Sequence, residues 1–144
     1  MLKKILSVVL VMIMLFSIAG CSMLNSAATA ETYEIGDDIL YSVYSIVGER
    51  KVTGVESGTS NGAPTKKYTY SSPTVVDDLL EYFTYLMRSD WVLVQDYNLN
   101  VMPGSAQFAK NSLDTGKVLL MTISFENQKY SIHLTKIEGS ITLN

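Results

Sequence analysis

The side chains suited to acid–base or metal chemistry are few in this chain of 144 residues. His133 is the only histidine, so a histidine-based metal site would need carboxylates for all its other ligands. On a strand, Ser131 and Thr135 would share its face, and no nucleophile motif accompanies it. We therefore expect His133 to face solvent from a strand.

Three carboxylates, Asp77, Asp78 and Glu81, lie close together in one segment. Paired acids can bind Ca²⁺ or hydrolyse a substrate, but hydrolytic pairs usually face each other across a cleft from different elements. Acidic residues are also favoured in the first turn of a helix, where the helix dipole stabilises negative charge. We therefore interpret the group as a solvated helix start. The sequence predicts no catalytic residue, no metal and no cofactor.

Aromatic residues give the main indication of a ligand. There are nine tyrosines, and Tyr68 and Tyr70 would share one strand face near Lys66. Exposed tyrosines would suit stacking on sugar rings or holding a protein partner, because each offers a rigid contact area with a polar tip. The alternative is that the rings are half-buried on the sheet, since tyrosine is common in strands. Tyr68, Tyr70 and Lys66 are thus a candidate ligand-binding set.

Cys21 is the only cysteine, so neither an intramolecular disulfide nor a thiolate metal cluster can form within one chain. It follows a basic head with two lysines, an apolar run over residues 5–18, and the small residues Ala19 and Gly20. A membrane-spanning helix needs about 20 apolar residues, and this run is shorter. The layout is typical of an export signal.

The segment Ile18, Ala19, Gly20 and Cys21 resembles the lipobox of bacterial lipoproteins, which is an aliphatic residue, two small residues and a cysteine. The resemblance implies that lipid is attached to the Cys21 thiol, that the chain is cut before Cys21, and that the protein is held on the extracytoplasmic face of the cell membrane. Two or more acyl chains anchor a protein stably, at about 0.8 kcal/mol per buried methylene. An ordinary secreted protein with a chance cysteine is the alternative, because a small-residue cleavage site alone would look similar.

Composition divides the chain into three parts. We expect a lipoprotein signal peptide at residues 1–20, a lipidated cysteine and flexible tether at residues 21–32, and one domain at residues 33–144. The full chain has a formal net charge of −3, and loss of the two leader lysines makes the remainder more acidic. Such a surface repels nucleic acid and anionic headgroups. The expected partners are the membrane, through lipid, and a protein or a cell-wall glycan.

The first half of the domain has mixed signals. Residues 39–47 (ILYSVYSIV) favour a strand because they are β-branched and aromatic, although a helix fits the same spacing. Residues 57–64 (SGTSNGAP) predict a mobile loop, and residues 66–71 predict a short strand.

A helix is predicted from Val75 to Ser89, with Thr74 as its N-cap. Its apolar residues recur at spacings of three and four and define one stripe for burial. This stripe consists of Val75, Val76, Leu79, Leu80, Phe83, Leu86 and Met87. Four strands follow, separated by turn-forming residues. They are residues 91–97, 105–111, 117–126 and 129–137.

The predicted fold class is therefore α+β, with an antiparallel sheet of about five to six strands packed on one central helix in a two-layer sandwich. The order of a helix, a tryptophan-led strand and a meander resembles small exported lipoproteins of Gram-positive bacteria. This second resemblance brings no motif for a named activity.

Three functions fit these observations. The first is a non-enzymatic module that binds a protein or a cell-wall glycan. The second is a small envelope hydrolase, which needs a pocket that brings Asp77, Glu81 and His133 together. The third is a structural accessory subunit of an envelope complex, which needs a contiguous exposed apolar patch.

Overall fold

The computed structural model describes residues 23–142. Residues 23–28 are helical, and a small hairpin and a six-stranded sheet follow. The elements in chain order are β1 (Thr32–Ile35), β2 (Asp38–Tyr41), α1 (Val43–Val47), β3 (Lys51–Ser60), β4 (Ala63–Ser71), α2 (Val75–Arg88), β5 (Val92–Gln95), β6 (Gly104–Asn111), β7 (Lys117–Glu126) and β8 (Lys129–Glu138). Over this range no helix is both long and apolar enough to cross a membrane.

The large sheet is antiparallel, with strand order β3-β4-β8-β7-β6-β5. Alternate residues of β7 and β8 are buried, because one face of the sheet packs on the core and the other faces outward. This confirms the α+β class and the antiparallel sheet. The second layer is more than the one predicted helix, since the β1–β2 hairpin and α1 contribute buried residues beside α2.

The predicted strand over residues 39–47 is correct only as far as Tyr41, and the helical alternative holds for the second part of the segment. β2 ends at Tyr41 and α1 begins at Val43. Between them, the buried Ser42 hydroxyl donates to the Ala30 carbonyl at 2.5 Å and accepts from the Ser45 N–H at 3.4 Å. Ser42 therefore caps a short helix and ties it to the chain before β1.

The loop predicted over residues 57–64 is wrong, because these residues form a hairpin. β3 and β4 pair through this segment as far as Ser60 and Ala63. Asn61 and Gly62 form the turn, with φ values of 50° and 79°. These are the left-handed conformations that a two-residue hairpin turn requires and that Asn-Gly tolerates best.

The segment predicted to be a flexible tether contains regular structure over the part that the structure describes. Residues 23–28 are helical, Ala28 belongs to the hydrophobic core, and Thr32 begins β1. Cys21 and the signal segment lie outside the described residues.

The predicted long helix is confirmed as α2, but its buried face differs from the predicted stripe. The buried residues are Val75, Asp78, Leu79, Tyr82, Phe83 and Leu86. Val76, Leu80 and Met87 are exposed. The polar groups on the buried face have partners: the Tyr82 hydroxyl donates to the Tyr41 carbonyl at 2.9 Å, and Asp78 binds an arginine. The spacing of apolar residues alone could not show that Asp78 and Tyr82 belong to the buried face of the helix.

Candidate functional site

The outward face of the sheet carries two straight rows of polar side chains. Strand register aligns the first row, one residue on each of β4, β8, β7 and β6. These residues are Thr69, Ser131, Ser124 and Ser105. The same register aligns the second row, Lys67, His133, Thr122 and Gln107. At about 4.8 Å between strands, each row is about 14 Å long.

The first row forms the floor of a shallow groove, because its side chains are shorter than those beside it. The groove has a volume of about 660 Å³. We call it the polar groove and define it by Lys67, Thr69, Ser105, Thr122, Ser124, Ser131 and His133, all of which line it. At its edge the Gln107 amide donates to the Thr122 hydroxyl at 3.2 Å. His133 thus lies on the outward face, as strand alternation predicts.

Positively and negatively charged side chains lie at the rim of the polar groove. Lys129 Nζ lies 2.9 Å from Glu126 Oε1, and Lys67 Nζ lies 3.8 Å from Glu56 Oε2. These pairs are exposed and contribute little to stability. The groove therefore offers a ligand hydroxyl donors and acceptors, with paired charges beside them.

The tyrosine pair predicted to bind a ligand faces the core. Tyr68 and Tyr70 are only 8% and 2% exposed. The Tyr33 ring stacks on Tyr68 with centroids 4.4 Å apart, and the hydroxyls of Tyr33 and Tyr70 are 2.5 Å apart. Burial raises the pKa of both Tyr68 and Tyr70. The expectation that these tyrosines are exposed is therefore wrong, because the β1–β2 hairpin covers this side of the sheet. Lys66 is on the same strand and partly buried.

The candidate hydrolytic residues are not brought together. Asp77 and Glu81 are exposed on α2, where they line an apolar groove with Leu80 and Tyr85. His133 lines the polar groove on the outward face of the sheet, away from the helix. Leu80 is 55% exposed in this groove, and charged residues, among them Asp77 and Glu81, border it.

Asp78, interpreted from sequence as part of a solvated helix start, is instead buried at the centre of a hydrogen-bond cluster. Arg50 donates to it twice, from Nε at 2.7 Å and from its second terminal nitrogen at 2.8 Å. The hydroxyls of Ser72, Thr74 and Tyr130 donate to it at 2.6, 3.0 and 3.3 Å. Burial would raise the pKa of Asp78, but Arg50 and the hydroxyls of Ser72 and Thr74 together hold it below its ordinary value.

A second buried cluster joins the β1–β2 hairpin to the large sheet. Lys136 Nζ lies 3.0 Å from Asp38 Oδ2 and also contacts Asp114 Oδ2. Asp38 accepts further hydrogen bonds from the Ser112 hydroxyl at 2.6 Å and the Leu113 N–H at 2.8 Å. Burial would raise the pKa of Asp38, but these donors outweigh it and lower the pKa. Sequence reasoning missed both clusters, because their partners are distant in the chain.

The lowered pKa of Asp78 predicts a loss of stability in acid. Its contribution is fully present above the unfolded-state pKa of about 3.9 and is lost as the pH falls through the lower folded-state value. We expect the urea concentration at which half of the protein is unfolded to decrease once the pH drops below about 4. The fall should be shallower in Asp78→Asn than in the exposed control Asp77→Asn. Equal pH profiles for the two variants would contradict the assignment.

Comparisons with known proteins add no relative: no protein-family model, no curated protein and no solved structure matches this chain. The fold and its surfaces define a sheet-dominated α+β domain with an outward polar sheet face.

Proposed function

We propose that the protein is a membrane-anchored extracytoplasmic lipoprotein that acts as a non-enzymatic binding module, with the polar groove as its ligand site. The anchor is supported by the lipobox-like residues 18–21 of the sequence. The observation that carries the binding role is the row of four hydroxyl side chains in register across four strands. Side chains so aligned present evenly spaced hydrogen-bonding groups to an elongated ligand.

A cell-wall glycan suits this groove better than a protein does. The buried centre of a protein interface is typically rich in aromatic residues and depleted of charge. The floor here is made of threonine and serine, and lysine and histidine line its side. The two aromatic residues in the lining, Phe125 and Tyr130, are only 2% and 1% exposed and offer a ligand little surface. A linear glycan carries hydroxyl and amide groups along its length, so it can exchange hydrogen bonds with each strand in turn.

Replacement of Ser131 by tryptophan tests the site, because the bulky ring would fill the floor from the outward face without entering the core. We expect binding of the full chain to purified cell-wall glycan, measured by co-sedimentation, to fall at least about tenfold, the equivalent of about 1.4 kcal/mol. Thr135→Trp is the matched control, since Thr135 lies on the same strand and face but outside the polar groove. Equal binding by the two variants would contradict the proposal.

An accessory role in an envelope complex is the second candidate function, favoured by the apolar groove on α2. Its partner would be a protein that covers Leu80, which is largely exposed. In-cell crosslinking of the lipidated protein distinguishes the two functions. A protein crosslinked at Leu80 but not at Ser131, with no glycan bound, would favour the accessory role.

A further inference from the structure

Lys136 is held between two carboxylates in an unusually enclosed position. The side chains of Lys136 and Asp38 are each 3% exposed, whereas Asp114 is 40% exposed. Nζ contacts one oxygen of Asp114 and lies 3.0 Å from Asp38 Oδ2. The amine of Lys136 thus contacts the carboxylates of both Asp114 and Asp38. We infer that Lys136 and Asp114 join in an intramolecular amide bond, and that Asp38 transfers the protons.

The reaction converts an ammonium and a carboxylate into an amide and one molecule of water. Nζ of Lys136 forms a bond to Cγ of Asp114, and the bond from Cγ to one carboxylate oxygen breaks. The two protons that Nζ loses pass through Asp38 to the departing oxygen, which leaves as water. Asp38 returns to its carboxylate form, so charge and atoms balance without an oxidant or another reactant.

Asp38 Oδ2 lies 3.0 Å from Nζ of Lys136, within reach of a proton on the amine. The Ser112 hydroxyl and the Leu113 N–H fix both its oxygens. The two neighbouring carboxylates raise the pKa of Lys136, and the donors around Asp38 lower the pKa of Asp38, so the amine begins as an ammonium beside an ionised Asp38, to which it must first give a proton. This transfer is uphill, and the intramolecular arrangement offsets part of the barrier, since well-oriented groups reach effective molarities of about 10⁵ M or more.

The surroundings also favour the product. Asp114 lies beside solvent, so the water has a way out. The remaining amide N–H can donate to Asp38, which keeps its other donors and stays paired. The bond also removes the positive charge of Lys136 from a position that is only 3% exposed, where a charge is costly.

Such a bond would be a structural cross-link and does not depend on the proposed ligand. It would fasten the loop between β6 and β7 to β8, beside the buried contact with the β1–β2 hairpin. A chain with one cysteine cannot make this connection with an intramolecular disulfide.

Peptide mapping of the purified, denatured full chain tests the bond directly. Trypsin should release residues 111–117 joined to a peptide that begins at Tyr130 and is uncut after Lys136, because an acylated lysine is not cleaved. The mass should equal that of the two peptides less one water, and fragmentation should place the link between Asp114 and Lys136. Recovery of residues 111–117 and 130–136 as free peptides from the wild-type protein would overturn the inference, whatever the variants do.

Three variants separate the roles within the cluster. Asp114→Ala removes the carboxyl group, and Lys136→Arg keeps the positive charge but lacks the nucleophilic amine, so neither should form the bond. Asp38→Asn keeps the shape but cannot accept the proton, and we expect at least about a tenfold smaller cross-linked fraction, or about 1.4 kcal/mol in the barrier. A full yield in Asp38→Asn would overturn the proton-transfer role.

Discussion

Replacement of Asp78 by alanine is expected to lower the free energy of unfolding by about 3–5 kcal/mol. Asp78 is 2% exposed and accepts two hydrogen bonds from Arg50. Its removal leaves a partly buried guanidinium without a counter-ion, and the hydroxyls of Ser72 and Tyr130 lose a charged acceptor. The loss of an acceptor costs more than the intact bonds contribute, because the remaining groups stay desolvated.

Urea unfolding of Asp78→Ala beside Asp77→Ala measures this effect. The two residues are adjacent on α2, but Asp77 is exposed, so its replacement should change stability by less than about 0.5 kcal/mol. The double variant Arg50→Met with Asp78→Leu should recover part of the loss, since apolar groups of similar size remove both charges together. Similar stabilities for Asp78→Ala and Asp77→Ala would show that the cluster does not stabilise the fold.

The second half of the domain could be predicted from sequence because its signals are local. In β7 and β8 apolar and polar residues alternate, and the turn between these strands consists of Asn127 and Gln128. The long helix has a regular apolar spacing with acidic residues in its first turn. Each feature depends on neighbours in the chain, so tertiary contacts did not need to be known.

In the first half of the domain, prediction from sequence failed where tertiary contacts determined the structure or where composition was misleading. Asn61 and Gly62 are a strong hairpin signal, but the surrounding glycine and serine made the segment resemble a loop. Tyr68 and Tyr70 alternate as predicted, yet only the presence of the β1–β2 hairpin determines that their side of the sheet is buried.

The polar groove could not be predicted because it depends on the pairing of strands that are distant in sequence. Thr69 aligns with Ser131 across β4 and β8, which are separated by α2 and three other strands. Single serines and threonines on a strand face carry no signal of their own. They become a row only when register places them side by side.

Replacement of Cys21 by alanine is expected to abolish fatty-acid labelling completely and to leave the precursor uncut. The proposed modification needs a sulfur nucleophile, and alanine has none. Cys21 is the only cysteine, so no other thiol can substitute for it. Cys21→Ser is a control close in size, with an oxygen in place of sulfur, and it should fail in the same way.

In the mature protein the proposed acyl chains would supply the membrane affinity. Each methylene of an acyl chain contributes about 0.8 kcal/mol to membrane binding, so loss of two chains removes far more than the acidic domain could replace by electrostatic attraction. Both Cys21 variants should keep the uncut leader and show no incorporated fatty acid, whereas a Ser22→Ala control should mature normally. A Cys21→Ala protein that is cut and labelled like the wild type would contradict the lipoprotein proposal, while the polar groove could still be tested on its own through Ser131→Trp.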